Sequence, residues 1–361
     1  MFFEESADQR ALRDELRAYY ADLLTDEVRA GIGEVGEGGA LWRDVVRRIG
    51  ADGWLGIGWP VEYGGRGRPA TDQFIFFDET RRAGAPFPFV TVNTVGPTIM
   101  RYGTDEQKAF FLPRILSGEL NFAIGYTEPE AGTDLASLRT RAVRDGDGYV
   151  VNGAKVFTSG AELADYVWLA VRTDPDAPKH RGISILCVAT DSPGFSYSPI
   201  VTVAGARTNA SFYADVRVPG AMRVGPENEG WRMITTQLNH ERVGLAAWSG
   251  FASALFDEVA AWAAATPAAA GLDRRVLDLA WVQADLARCQ AELEAMYLLN
   301  WRMATAVASD RVDGAASSAV KVFGVERSAR HAQINTFGGG VNEIQREIVA
   351  TATLGMTRGR R

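Results

Sequence analysis

The spacing of apolar residues switches twice along this chain, from a period near 3.6 to a period of 2 and back. That double switch restricts the fold more than any single motif. Up to about residue 118 the spacing is helical. Ser6–Leu24 carries Leu12, Leu16, Tyr19, Tyr20 and Leu23 on one helical stripe, and Leu41–Ala51, Thr71–Ala83, Val90–Arg101 and Thr104–Leu116 follow. Thr104 with Gln107 spells a capping box. Gly31–Gly39 and Trp54–Arg68 read as glycine-rich breaks. From Asn121 to Val218 the runs are short and rich in β-branched and aromatic residues, as in Tyr166–Val171 and Ile183–Val188. Asp145-Gly146-Asp147-Gly148 and Asn152-Gly153 read as hairpin turns. From Trp231 the helical period returns, over Leu238–Ala265, Arg275–Ala308 and Ala315–Ala332, and then beyond the turn Gly338-Gly339-Gly340 over Asn342–Leu354.

The order predicts an α+β chain: an N-terminal helical domain over 1–118, a middle β-barrel or sandwich over 119–226 and a C-terminal helical bundle over 227–361. With 361 residues, 47% of them hydrophobic, the chain has material for more than one core. A net charge of −7 argues against a nucleic-acid surface. Cys187 and Cys289 lie far apart, and His180, His240 and His331 are scattered, so neither a disulfide framework nor a metal site is expected. No apolar run reaches membrane-span length, and Met1–Tyr20 is charged and amphipathic without a signal-peptide core. The expectation is a soluble cytoplasmic enzyme with no membrane contact.

Within the β-rich part, Gly125-Tyr126-Thr127-Glu128-Pro129-Glu130-Ala131-Gly132-Thr133-Asp134 is followed by Lys155-Val156-Phe157-Thr158-Ser159. Each couples a short β run to small and hydroxyl-bearing residues. Such a set suits a flat cofactor with a polar edge, held by amides and hydroxyls and covered by an aromatic ring. The two segments resemble the flavin-binding signature of the acyl-CoA dehydrogenase family, whose helix–sheet–helix order the chain shares. Gly103–Lys108 with Leu112-Pro113-Arg114, Val224–Trp231 and Phe337–Arg346 extend the resemblance over nearly the whole chain. Within the family the wording is most similar to the actinobacterial sterol side-chain dehydrogenases, especially subunits that work as unlike pairs.

The resemblance implies FAD, an acyl-CoA substrate and α,β-dehydrogenation, with a carboxylate taking the α-proton while the β-hydrogen leaves as hydride. It places flavin contacts at Tyr126, Thr127, Gly132, Thr133, Phe157, Thr158 and Ser159, with Asn342 and Glu343 near the dinucleotide tail. Phe157 stands where the family usually has Trp. Of the two places where relatives carry the base, one is occupied here by Gly339, which has no acid group. The other falls on Leu238-Asn239-His240-Glu241-Arg242 and is filled by Glu241. Gly339 retains the backbone N–H that polarises the thioester carbonyl in the family. Asn239 and Arg242 fall where relatives contact CoA or brace that contact. The residues alone leave other roles open: Glu241 as an ordinary charge-paired helix residue, Arg242 as its structural partner, Phe157 as core, and the glycines as a simple turn. Residues from Phe87–Met100 are expected to line the acyl pocket.

Two departures bear on assembly. The Arg-x-x-Phe-Gly motif that reaches a neighbouring flavin in homomeric relatives is missing from Ala263–Leu277, and so are the longer helical passage and Gln-x-x-Gly-Gly-type loop usual before the closing motif, since only Val325–Thr336 separate Lys321–Gly324 from Phe337. Both pieces serve shared flavin sites. They imply a second dehydrogenase-like subunit in an α2β2 heterotetramer, with an electron-transfer flavoprotein as acceptor by family resemblance. A flavin oxidase or N-hydroxylase on the same scaffold, and a non-catalytic partner subunit, are the alternatives. Gly31-Ile32-Gly33-Glu34-Val35-Gly36 spells GxGxxG but follows a helix, so it is not read as a dinucleotide fingerprint.

Overall fold

The computed structural model describes residues 4–35, 39–202, 207–245, 248–268, 273–309, 314–327 and 349, with backbone alone at 33–35, 238–245, 248, 314 and 325–327. The chain divides into two compact units. One comprises Asp26–Gly67 and Pro86–Glu241; the other comprises Met1–Thr25, Arg68–Ala85 and Arg242–Arg361. Helices come first, then strands, then helices, as the sequence predicts.

The first unit is built on an eight-stranded sheet: β1 (Phe122–Gly125), β2 (Arg141–Asp145), β3 (Gly148–Lys155), β4 (Tyr166–Arg172), β5 (Ile183–Ala189), β6 (Phe195–Val201), β7 (Arg207–Val218) and β8 (Arg223–Val224). The order is β6-β7-β3-β2-β4-β5-β8, with β1 on β4. One face of the sheet buries Tyr149, Val151, Val167, Leu169, Val171, Leu186, Val188 and Val216 together. Val167–Arg172 and Ile183–Val188 are buried throughout, because β4 and β5 are covered on both faces. The Asp145–Gly148 turn is the expected hairpin, with Gly146 at φ +62. Asn152-Gly153 is not a turn. It is a bulge inside β3, where the register against β7 shifts between Val151 and Gly153.

Around the sheet lie α2 (Asp26–Val35), α3 (Ala40–Ala51), α5 (Gly96–Tyr102), α6 (Asp105–Leu116) and the first part of α7 (Gly230–Leu245). The expected Thr104–Gln107 capping box opens α6, each residue bonding the other's backbone N–H. Gly31 and Gly33 lie inside α2, so the GxGxxG run begins within a helix and does not follow a strand. A π-helical turn, Thr91–Val95, precedes α5 and is wholly buried. Its Thr91 hydroxyl accepts from the Phe122 N–H at 2.8 Å and so anchors the start of β1.

In the second unit α4 (Ala70–Arg82) packs against α1 (Ala7–Leu23), α8 (Trp248–Ala265) and α9 (Ala280–Ala308), and α10 (Gly314–Arg327) packs on α9. Ser6 and Gln9 form a capping box that starts α1. Phe74 and Trp301 meet edge to face at 5.3 Å between ring centroids. Gly250 lets α8 press on α4: a Cβ there would come within 2.1 Å of the Asp78 carbonyl oxygen. Among the described residues no helix is long and apolar enough to cross a membrane, and no cluster of potential metal ligands occurs.

Candidate active site

The first motif is an excursion from the sheet. β1 and β2 lie end to end along the same edge of β4, both parallel to it, with Gly125 opposite Leu169 and Arg141 opposite Arg172. Residues 126–140 leave that edge after Gly125 and return to it at Arg141. A tight turn, Glu128–Ala131, closes on itself through backbone bonds of 3.2 and 3.1 Å. Gly132, Thr133 and Asp134 follow and are exposed. Arg172 fastens the returning arm, donating to the carbonyls of Ala136 at 2.6 Å and Leu138 at 3.3 Å.

A buried ion pair shapes the neck of the excursion. The Lys155 side chain is 0% exposed; its Nζ donates to the Tyr126 carbonyl at 3.0 Å and to Glu128 Oε1 at 2.9 Å. Glu128 also accepts from the backbone N–H groups of Arg139, at 2.6 Å, and Thr140, at 2.7 Å. Burial pushes the Glu128 carboxyl up, but the Lys155 ammonium and the Thr140 N–H outweigh it and hold the pKa below the ordinary value. Burial, only partly offset by Glu128, lowers Lys155 to about 8. Sequence reasoning quoted both residues inside the motifs but gave neither a role. The available signal was a lysine at the end of a mostly buried strand, which requires a partner.

The second motif leaves the sheet at the same place. Val156 N–H donates to the Thr127 carbonyl at 2.8 Å, joining the two segments directly. Phe157 follows at φ 60, a left-handed conformation costly for a bulky residue, and is 50% exposed. Thr158 is buried. Its N–H donates to the Asn209 carbonyl at 2.9 Å, and its hydroxyl shares a hydrogen bond with Ser211 at 3.0 Å. The Thr158 side chain therefore braces the turn that presents Phe157. Ser159 is exposed and shares a hydrogen bond with Thr208 at 2.9 Å.

These features fit a flat, polar-edged group such as FAD. Thr127, Gly132, Thr133, Phe157 and Ser159 are accessible around the joined segments, and a Cβ on Gly132 would meet nothing nearer than Thr127 Cγ2 at 4.0 Å. Asn209 donates to the Thr158 carbonyl and to Glu162 but keeps a buried Oδ1 without a partner.

The helix predicted to carry the base is pinned at its start. Asn228, at φ 68, accepts from the Thr173 hydroxyl at 2.6 Å, and its N–H donates to Ser184 Oγ at 2.8 Å. Gly230 permits contact with β5, since a Cβ there would sit 2.8 Å from the Ile183 carbonyl oxygen. Met233, Ile234 and Gln237 form the buried face of α7. Gln237 bonds the flavin motif: the Tyr126 hydroxyl donates to Gln237 Oε1 and accepts from Trp168 Nε1 at 3.1 Å. The buried Tyr126 phenol is thus spent on α7 and β4. Sequence reasoning missed Gln237, although a glutamine on an apolar helix face was legible. Asn239, Glu241 and Arg242 lie on α7, but their side chains, like the whole of Gly339, Asn342 and Glu343, fall outside the described residues.

Comparison with known proteins agrees along the full length. The acyl-CoA dehydrogenase N-terminal domain matches residues 6–119, the middle domain 123–216 and the C-terminal domain 228–329. Acyl-CoA dehydrogenase FadE26 of Mycobacterium tuberculosis is 50% identical, covering 98% of this chain and 98% of its own. FadE29 of the same organism is 47% identical over 99% of each. Among solved structures, the Tcur3481-Tcur3483 steroid ACAD superposes with a TM-score of 0.93 at 53% identity, covering 99% of this chain and 100% of that one. A chain of the ChsE4-ChsE5 complex from Mycobacterium tuberculosis gives 0.91 at 48% identity, with the same coverage. The chain belongs to the acyl-CoA dehydrogenase family of oxidoreductases, which are generally FAD-dependent.

Proposed function

We propose that this chain is the base-bearing subunit of a heteromeric, FAD-dependent dehydrogenase acting on a steroid side-chain acyl-CoA. The observation that carries the reading is the tie between Gln237 on α7 and Tyr126 in the flavin motif, because it couples the base-bearing helix to the cofactor segments. Glu241 takes the α-proton of the thioester, and the electron pair of that C–H bond becomes the α,β double bond. FAD, when bound, supplies the acceptor for the β-hydride. Thr127, Gly132, Thr133 and Ser159 hold its polar edge, and Phe157 covers a ring face. Gly339 N–H polarises the thioester carbonyl, Asn239 and Arg242 serve the CoA end, and Asn342 and Glu343 lie by the dinucleotide tail.

The steroid assignment follows the relatives, one described as a steroid ACAD. Support for an unlike partner comes from the same quarter, since the two similar structures carry two-component names. The α8–α9 connection supports it too. Pro267 bridges to Arg275, and Val276 N–H donates to the Thr266 carbonyl at 2.8 Å, so the described ends of this connection pair with each other where homomeric relatives carry their flavin-reaching arginine. We assign an α2β2 assembly, an electron-transfer flavoprotein as acceptor, and a cytoplasmic setting on the family pattern. Asn93 and Thr94 in the buried π-helical turn each keep a polar atom without a partner, which suits the expected acyl-pocket stretch Phe87–Met100.

The test is Glu241→Gln in the complex co-expressed with its dehydrogenase-like partner and assayed with cholanoyl-CoA. Turnover is expected to fall ~10²-fold or more with flavin retained. Near-normal turnover would remove Glu241 from the mechanism.

A further inference from the structure

Phe157 occupies a backbone position that usually belongs to glycine. β3 pairs with β7 as far as Lys155, which lies opposite Ser211, so an unbroken ladder would set Phe157 opposite Asn209. Instead the Thr158 N–H reaches the Asn209 carbonyl at 2.9 Å, one residue late. The extra residue makes a bulge, and Phe157, at φ 60, takes the left-handed place that glycine normally fills there. A bulky residue keeps that conformation only where its surroundings over-determine it.

Asn209 supplies the determinant. It is 0% exposed and grips Thr158 twice. Its main-chain carbonyl accepts from the Thr158 N–H, and its Nδ2 donates to the Thr158 carbonyl at 3.1 Å. The second amide proton goes to Glu162 Oε2. Two oxygen acceptors around Nδ2 settle the amide orientation and leave Oδ1 buried without a partner. The Thr158 carbonyl also accepts from the Ala161 N–H at 3.3 Å, so the amide is not needed merely to satisfy it. An apolar residue would fill this place in β7 and leave no acceptor unmet. What the amide adds is a fixed place for the peptide that follows Phe157, tied to β7 on one side and to Glu162 on the other.

We infer that Asn209 is a positioning residue for Phe157: by holding both backbone groups of Thr158 it keeps Phe157 left-handed and its half-exposed ring in the place where it covers the cofactor. This rests on the reading of Phe157 as the cover of a flavin ring face. Without the amide, the backbone at Phe157 is free to relax to negative φ, and the ring leaves that place.

Asn209→Leu and Phe157→Gly, singly and together, form the test. The co-expressed complex is stripped of FAD, and FAD is titrated back while its fluorescence is followed. Glycine adopts the left-handed conformation freely and carries no ring, so the glycine variant has nothing to position. Asn209→Leu alone should raise the FAD dissociation constant about three- to tenfold, up to the loss expected for the ring itself. Added to Phe157→Gly, it should raise that constant by less than about twofold more. An equal effect in both backgrounds would mean that Asn209 acts through general stability, and would overturn the inference; so would unchanged affinity in Asn209→Leu. Should Asn209→Leu not fold, Asn209→Ala carries the same cycle with the same outcomes. If Phe157→Gly binds FAD as the wild type does, the cover reading fails and takes the inference with it. If Phe157→Gly weakens binding and Asn209→Leu does not, only the inference fails.

Discussion

The two units both bury charge, and they use it differently. In the helical unit Arg13 on α1 donates to Glu5, to Asp78 at 3.0 Å and to Glu79, and Tyr297 on α9 at 2.9 Å joins the cluster. Arg17 bonds Glu79 at 3.0 Å, and Ser249 links Asp78 to Asn300. Nearly every bond runs between side chains of different helices, so the cluster joins α1, α4, α8 and α9. In the sheet unit Lys155 and Glu128 share one bond with each other and spend the others on backbone groups of residues 126, 139 and 140. That pair gives a loop its shape. Charge buried among side chains joins helices; charge buried against backbone shapes the surface that a ligand meets.

Removing one partner from each cluster is the strongest way to break the comparison. Lys155→Met and Arg13→Met should each destabilise by about 3–5 kcal/mol, because the first leaves Glu128, and the second Glu5 and Asp78, without the cation that each bonds. The consequences should diverge at low temperature, where both variants remain folded. Lys155→Met should lose flavin, and Arg13→Met should keep it. Equal flavin content in the two, read by absorbance, would show that the excursion does not depend on its ion pair.

Acid should separate the units by a smaller margin. Glu128 and Glu5 have pKa values lowered by folding, so each stabilises above its ordinary value of about 4.5 and gives that up as pH falls through the folded value. Asp78 has the opposite sign. Burial, only partly offset by Arg13, raises its pKa, so the fold carries a penalty above that pKa which acid relieves. Below about pH 4.5 the helical unit therefore has a compensation that the excursion lacks. Flavin fluorescence should rise before helical ellipticity falls; simultaneous transitions would contradict this.

Phe157 offers the mildest test. Phe157→Gly removes a left-handed strain of about 1–2 kcal/mol and also an aromatic face. Stability should change by no more than about 1 kcal/mol, while flavin binding weakens about tenfold, since covering a ring face is worth roughly 0.5–1.5 kcal/mol or more. Phe157→Trp should bind as wild type or better. Unchanged affinity in the glycine variant would place Phe157 away from the cofactor.

Much of this was legible beforehand because it depends on local pattern. The order of elements, the α6 capping box, the Asp145–Gly148 hairpin and the position of both motifs follow from spacing and turn chemistry. What escaped depends on distant partners. Gly31 and Gly33 read as a break, yet α2 runs through both, consistent with tertiary packing overriding weak propensity. Asn152-Gly153 read as a turn, but its strand continues on β7, and the bulge is paired through Asn152 with Asp215 at 2.9 Å, 63 residues away. Lys155, Glu128 and Gln237 carried no visible role because their partners come from other elements, and a buried polar residue declares its purpose only through what it bonds.

The central claim is that this chain supplies the base and one half of a flavin site, completed by an unlike subunit. The visible absorption spectrum of the purified chain, alone and co-expressed with its dehydrogenase-like partner, tests it most directly. The account predicts flavin absorbance only in the co-expressed complex. A full flavin spectrum from the lone chain would contradict it and make the chain self-sufficient.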